Sequence, residues 1–199
     1  MHVGDPVTFG TGSWQNAHAF FSKALDDRVG LFVMLSAVRR VQNMGCDLFL
    51  IASCQEEVGL RGAGPAAFAV QPEIVLVLEG TVASDTPGLT LPPNVAATCQ
   101  GKGPEIRLSD RGMLSNRQVA DGLVQLARKA DIPHQVIVKN TGTTDAAMAQ
   151  TAGAGSKACA LSVPVRYIHA PVGLVRKTDI EHGVALVTAF LEQVHAVIS

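Results

Sequence analysis

Long apolar runs, an excess of one charge sign and paired cysteines are all missing from this sequence, and each lack removes a class of protein. Hydrophobic residues make up 47% of the 199 residues, yet no unbroken apolar stretch reaches the ~18 residues of a membrane span, so the chain reads as soluble. Sixteen basic residues nearly cancel seventeen acidic ones, giving a net charge of -1, which leaves no field to steer the protein onto nucleic acid or an anionic membrane. A peptide or small-molecule ligand fits better. The four cysteines, Cys46, Cys54, Cys99 and Cys159, form no C-x-x-C pair, which argues against a zinc ribbon and against a dense disulfide framework. The opening Met1–Pro6 has neither the basic nor the apolar region of a secretory leader. A cytoplasmic location is therefore expected.

Familiar catalytic signatures are missing too. Gly153–Lys157 has Ser before Lys, the reverse of what a phosphate-binding P-loop needs, and neither H-E-x-x-H nor G-x-S-x-G occurs. No internal repeat or low-complexity tract is present.

What remains is a chain of a size suited to one well-buried domain, in which apolar runs alternate with helical patterns. Val29, Phe32, Val33, Leu35 and Val38 predict a helix over Asp26–Met44, stopped by Gly45. Asp47–Cys54 and Glu73–Glu79 predict strands, with an Ala-rich helix over Gly62–Val70 between them. Strands near Glu105–Leu108, Gln135–Lys139 and Ala158–Val163 follow, with helices over Asn116–Ala130, from about Asp145, and over Thr178–Val197. This alternation predicts an α/β fold, a three-layer αβα sandwich whose sheet is covered on both faces. Ligand sites in such folds lie in the loops beyond strand ends, so those loops carry the chemical reading.

Glu56 and Glu57 directly follow an apolar run that ought to be a buried strand, where two like charges need cations or a proton. Neighbours in extended chain point different ways, so one carboxylate could ligate a metal while the other meets metal-bound water as a base. An isolated Glu-Glu pair is more often simply solvated. Asp26 and Asp27 open a long helix, where capping the free amides is an equally good account of them. Glu79 ends the apolar run Leu76–Leu78, and His169 follows another strand just before the stiffening Pro171. Together Asp26, Glu57, Glu79 and His169 form an oxygen-rich ligand set with one imidazole, suited to Zn or Co. The Gly-rich Asn140–Asp145 could wrap a substrate, or Thr144 and Asp145 could serve a helix N-terminus.

The motifs Ala24–Gly30, Gln55–Ala63, Asp85–Gly88, Asp110–Met113 and Arg166–Pro171 occur in an order that resembles the M42 metallo-aminopeptidases (glutamyl and deblocking aminopeptidases), from about Val3 to the C-terminus. That resemblance implies a mixed central sheet of the zinc-peptidase (phosphorylase/hydrolase-like) type. It also implies two divalent metal ions, Zn or Co, ~3.5 to 4 Å apart. Asp26 would bridge them, Glu57 and Glu79 would each bind one, His169 would complete one sphere, and Glu56 would be the general base. Arg111 and Asp145 are expected near the substrate. The implied substrates are peptides cleaved at the N-terminal residue, with no nucleic-acid or membrane partner and a possible homo-oligomer.

Two departures stand out. Glu79 occupies a position that is usually Asp in the family, altering reach more than chemistry. The family pattern also begins with a His-x-Asp segment and an inserted β-rich assembly domain, whereas this chain starts at the tail of that insert. Residues 1–22 are thus expected to be a remnant of the assembly domain and residues 23–199 the catalytic domain. Neither His2 nor His18 lies in a matching motif. The second metal is then expected to bind weakly, and apolar patches are expected at the surface. Alternative readings are a truncated non-catalytic relative or partner subunit, and a related hydrolase of N-acylated substrates.

Overall fold

A computed structural model describes residues 1–88 and 98–198. In chain order its elements are β1 (Trp14–Gln15), β2 (Ala19–Ser22), α1 (Leu25–Arg40), α2 (Ala63–Val70), β3 (Ile74–Val82), β4 (Glu105–Ser109), α3 (Arg117–Lys129), β5 (Gln135–Val138), α4 (Ala146–Ala149), β6 (Lys157–Arg166), β7 (Gly173–Arg176) and α5 (Lys177–Ile198). No described helix is long and apolar enough to cross a membrane.

The sheet is organised around β6, whose ten residues are the longest apolar strand. Along one edge it pairs in parallel with all nine residues of β3, from Ile74 opposite Lys157 to Val82 opposite Val165. Along the other it pairs antiparallel first with β4 and then with β7, and β4 continues in parallel to β5. The path is β1-β2-β7-β6-β4-β5 with β3 added on β6, a mixed sheet as expected.

The period of two in β6 sorts the core into two layers. Cys159, Leu161, Val163 and Val165 face a large cluster with Val29 and Val33 of α1, Val119 and Leu123 of α3, and Val184, Leu186 and Phe190 of α5. Ala158 and Ala160 face a smaller cluster with Met113 and Ala146. Helices therefore cover both faces.

Helix α3 shows why these segments fold where they do. Asn116 is extended and its side chain accepts the Val119 amide at 3.2 Å, capping the helix start. Val119, Ala120, Leu123, Leu126 and Ala127 then present one buried stripe. Gly122 lets α5 come close, since a Cβ there would lie 2.3 Å from Val197.

One expected strand is not found. Asp47–Cys54 carries no ladder, and no backbone group in it bonds another backbone group among the described residues. Leu48, Phe49, Leu50 and Ile51 are 36 to 62% exposed, although their composition is that of a buried strand. An apolar run with Phe49 and Ile51 favours extended chain, but a ladder also needs a neighbour, and β3 does not pair with this segment. Conversely β1, β2 and β7, which lie outside the expected elements, form one antiparallel end of the sheet.

Candidate metal centre

The site is built where α1 begins against the end of β3. Two glycines permit that approach: a Cβ on Gly30 would fall 2.4 Å from the Leu78 carbonyl, and one on Gly80 3.2 Å from Asp26 Cα. Asp26 and Asp27 have non-helical backbone angles at the head of α1, so their side chains separate. Asp27 accepts the Gly30 amide at 2.9 Å, the capping role open to it from sequence. Asp26 instead turns towards the loop after β6.

There it meets His169, whose Nε2 lies 3.2 Å from Asp26 Oδ2 and 3.2 Å from Glu57 Oε1. Donor atoms of Asp26, Glu57 and His169 all lie within 4.8 Å of one another, a spacing a single cation could span. Asp26 is largely covered while Glu57 and His169 stay open to solvent, leaving room for additional ligands. Local backbone is held in an uncommon region: Ala24, Gln55, Tyr167 and His169 all have positive φ without being glycine. Such conformations persist where the surroundings over-determine them, and here four of them surround one site.

Charge is crowded there. Burial, then the charge of Glu57, raises the Asp26 carboxyl above its ordinary range, with His169 opposing. Asp27 is pushed up to about 8, chiefly by burial among protein atoms, although the slot beside it leaves the residue reachable by water. Glu56 is pushed up to about 7 by burial and by Glu57, Asp145 and Asp26. Glu56 and Glu57 lie in a turn rather than in the extended chain expected for them. Glu57 borders both a 390 Å³ hollow beneath His169 and Pro171 and a 780 Å³ slot beside β3, whereas Glu56 borders only the slot.

Glu79 stands apart from the trio. Its Oε1 lies 2.9 Å from Arg107 Nη2 and accepts Ser162 Oγ at 3.0 Å. Burial raises its carboxyl to about 8 despite Arg107, and the charges of Asp26 and Asp27 add to the rise. Of the four expected ligands the structure thus groups three, and holds the fourth nearby on an arginine. Asp145 borders the slot with Glu56, accepts the Ser53 hydroxyl, and has a buried Oδ1 without a partner among the described residues. Arg111 is exposed and its amide bonds Gly142, in the Gly-rich loop.

Sequence reasoning overlooked Arg107, which sits 4% exposed in β4 and also bonds Glu105 at 2.8 Å and Asp110 at 3.1 Å. The signal was available: an arginine inside the run Glu105–Leu108 has no solvent to reach and must be paired.

Two carboxylates and an imidazole converging within a three-layer α/β sandwich make a donor set of the kind that can hold a divalent metal ion. Residues 1–186 match the family described as M42 glutamyl aminopeptidase, and the chain belongs to that family. It is 35% identical over 179 residues to the lysyl aminopeptidase of Pyrococcus furiosus, covering 88% of this chain and 49% of that one. A solved aminopeptidase of Desulfurococcus kamchatkensis superposes with a TM-score of 0.87 at 37% identity, over 93% of this chain and 52% of that one. The TET1 peptidase of Pyrococcus horikoshii does so with a TM-score of 0.78 at 30% identity, over 92% and 53%. The chain spans about half the length of the curated relatives it matches.

Proposed function

We infer that this chain carries the catalytic machinery of a metal-dependent aminopeptidase. The observation that carries the reading is the convergence of Asp26, Glu57 and His169 from three separate segments. Crowded carboxylates with raised affinity for protons, and only an imidazole between them, are a donor set that a divalent cation such as Zn or Co would satisfy. Asp26, Glu57 and His169 would hold one ion. Glu79, which feels the charge of Asp26 and is paired with Arg107, would be the donor for a second ion. A bound ion supplies Lewis acidity and lowers the pKa of water.

Glu56 is placed for the proton work. It borders the slot, is half-buried, and sits beside the donor trio without being one of its members. As a carboxylate it takes a proton from the attacking water, and as the acid it returns that proton to the leaving amine. Acidic groups around the site favour a substrate bearing a free α-amine, which is why the reading is of an aminopeptidase. Asp145 on the slot wall and Arg111 at the loop mouth would contact the substrate. Residues 23–199 would form the catalytic unit. Residues 1–22, where Val3, Val7 and Phe9 are exposed, would belong to a region used in homo-oligomer assembly. None of the cysteines among the described residues is in a disulfide, which suits a reducing cytoplasm.

The test is hydrolysis of a panel of aminoacyl p-nitroanilides by the chain, first freed of metal and then supplied with Zn or Co, with a chelator control and N-acylated substrates alongside. Chelator-sensitive cleavage of free-amine substrates is expected. A second reading is a non-catalytic relative or partner subunit that binds one ion. It is favoured by the grouping of only three donors among the described residues. Stoichiometric metal binding without turnover in folded protein would establish it.

A further inference from the structure

The slot and the smaller hollow meet at Asp26, Arg28 and Glu57, which border both, and beyond those shared residues their charges differ in sign. All the other charged lining residues of the 780 Å³ slot are carboxylates, Asp27, Glu56, Glu79 and Asp145 among them. The 390 Å³ hollow adds no carboxylate at all. Apart from the His169 imidazole, its one further charged side chain is that of Lys23.

Lys23 is unusual in this fold. Every other lysine or arginine withdrawn from full exposure has a partner suited to a cation: Arg107, Lys139, Lys157 and Arg166 each sit on a carboxylate, and Lys177 lies 4.8 Å over the Phe20 ring. Lys23 has only the Phe9 carbonyl, at 3.4 Å, among the described residues. Arg28, on the other rim of the hollow, is exposed and has no carboxylate within ion-pair distance among the described residues. Two cations beside one hollow are thus left to a negative group from outside.

Shape narrows the choice. The hollow is at the small end of the range for small-molecule sites, and Leu25, Val165, Ile168 and Pro171 make much of its wall apolar. Its boundary includes Thr8 and Phe9, a stretch tied down on both sides: Thr11 Oγ1 donates to the Pro171 carbonyl at 3.1 Å, and Lys23 Nζ to the Phe9 carbonyl. One amino-acid residue suits such a space better than a continuing polypeptide.

We infer that this hollow is the subsite for the leaving residue of a dipeptide, with Lys23 and Arg28 holding its terminal α-carboxylate. The inference rests on the aminopeptidase reading for the direction of the substrate. The α-ammonium lies towards the carboxylates of the slot and the scissile bond at Asp26, Glu57 and His169, so the leaving residue falls on the side of the hollow. A dipeptide is a zwitterion whose opposite charges flank the bond to be cut, and the sign change across the donor trio matches it. An acidic first side chain is the other source of a carboxylate. It would extend from the amine side, where the carboxylates of the slot repel it. Lys23 and Arg28 touch no reacting atom, so their effect falls on KM rather than kcat.

The experiment is an NMR titration of the 199-residue chain, kept metal-free by a chelator so that neither hydrolysis nor a carboxylate–metal contact contributes. The probes are leucyl-alanine, its C-terminal amide, leucyl-alanyl-alanine and glutamyl-alanine amide. Leucyl-alanine is expected to bind about fivefold more tightly than its amide, the scale of two partly exposed ion pairs. That ratio should fall to about one in the double variant Lys23→Gln with Arg28→Gln, and stay near fivefold in Lys23→Arg, with circular dichroism confirming the fold of each.

Equal Kd values for acid and amide in the unsubstituted chain would overturn the assignment, whatever the variants do. A ratio that survives the double substitution would place the carboxylate elsewhere. Glutamyl-alanine amide binding as tightly as leucyl-alanine would give the cations to the first side chain, and equally tight binding of the tripeptide would reject the dipeptide class. In the metal-loaded chain the same ratio is expected in KM. No turnover with the binding ratio intact would sink the aminopeptidase reading alone, whereas turnover with a binding ratio of one would sink the subsite alone.

Discussion

Two acid clusters lie on either side of Glu79, and they solve the same electrostatic problem differently. On one side the Glu105 and Asp110 side chains are buried, and each is matched by a fixed cation: Arg107 at 2.8 and 3.1 Å, with Lys139 2.9 Å from Glu105. Burial alone would raise the Glu105 carboxyl, but Lys139, Arg107 and the Thr98 hydroxyl outweigh it and hold the carboxyl below its ordinary range. On the other side burial raises Asp26, Asp27 and Glu56, opposed by His169 at Asp26 and Glu56 and by the Gly30 and Gly80 amides at Asp27, and no lysine or arginine is paired with them among the described residues. The first cluster is complete as folded. The second has no such paired cation among the described residues, and it is the one that borders the two hollows. The difference separates acids whose charge is matched within the fold from acids left without a fixed partner cation, the kind of group a ligand could satisfy.

The strongest way to sharpen that contrast is at Glu56. Replacing it by Gln keeps shape and removes the base, so kcat towards aminoacyl p-nitroanilides should fall about 10²- to 10⁴-fold, while calorimetric metal binding persists. Unchanged turnover would remove Glu56 from the mechanism.

Breaking the completed cluster should instead cost stability. Arg107→Met leaves Glu105 and Asp110 buried with too little positive charge, and a loss of about 3–5 kcal/mol is expected in urea unfolding. A loss near zero would mean the network is solvated in ways the structure does not show.

Supplying the missing charge should then stabilise the incomplete cluster. Zn or Co at a hundredfold excess over its Kd should raise unfolding free energy by about 2.7 kcal/mol, and a chelator should reverse it. His169→Ala should remove most of that gain, and an unaltered gain would place the metal elsewhere.

The smallest effect is the acid response of Glu105. Its folded pKa is lowered, so its contribution is present above the unfolded value of about 4.3 and is lost as pH falls through the folded one. The chain should therefore lose stability in that acidic window, and Glu105→Gln should flatten the slope there. An unflattened slope would assign the acid sensitivity to other carboxylates such as Asp85, which is lowered as Arg166 outweighs its burial.

Much of this was legible along the chain. Helix α3 announces itself by the Asn116 cap and its apolar stripe, and β6 by an apolar run long enough to be central. Glu56 and Glu57 stood out as a like-charged pair after an apolar run, but the structure leaves Glu57 exposed and Glu56 half-buried. Asp26 and Asp27 were legible only as a choice between capping and ligation. The structure divides the roles, with Asp27 on the Gly30 amide and Asp26 on His169. The segment Asp47–Cys54 read as a strand because composition reports a preference for extended chain, while a ladder depends on a neighbour that local sequence does not name. The short strands β1, β2 and β7 escaped notice because two to four residues carry too little periodicity.

The sequence alone determined the α/β alternation, the order of the motifs and the chemical types of the candidate ligands, since these follow from local periodicity and from the cost of placing charge beside apolar runs. Tertiary structure decided which acids receive Arg107 and Lys139, which of the two aspartates reaches His169, and that β3 stands at an edge facing an apolar slot. Those outcomes depend on distances between segments up to about 140 residues apart, which loop geometry and packing set and which no local pattern encodes.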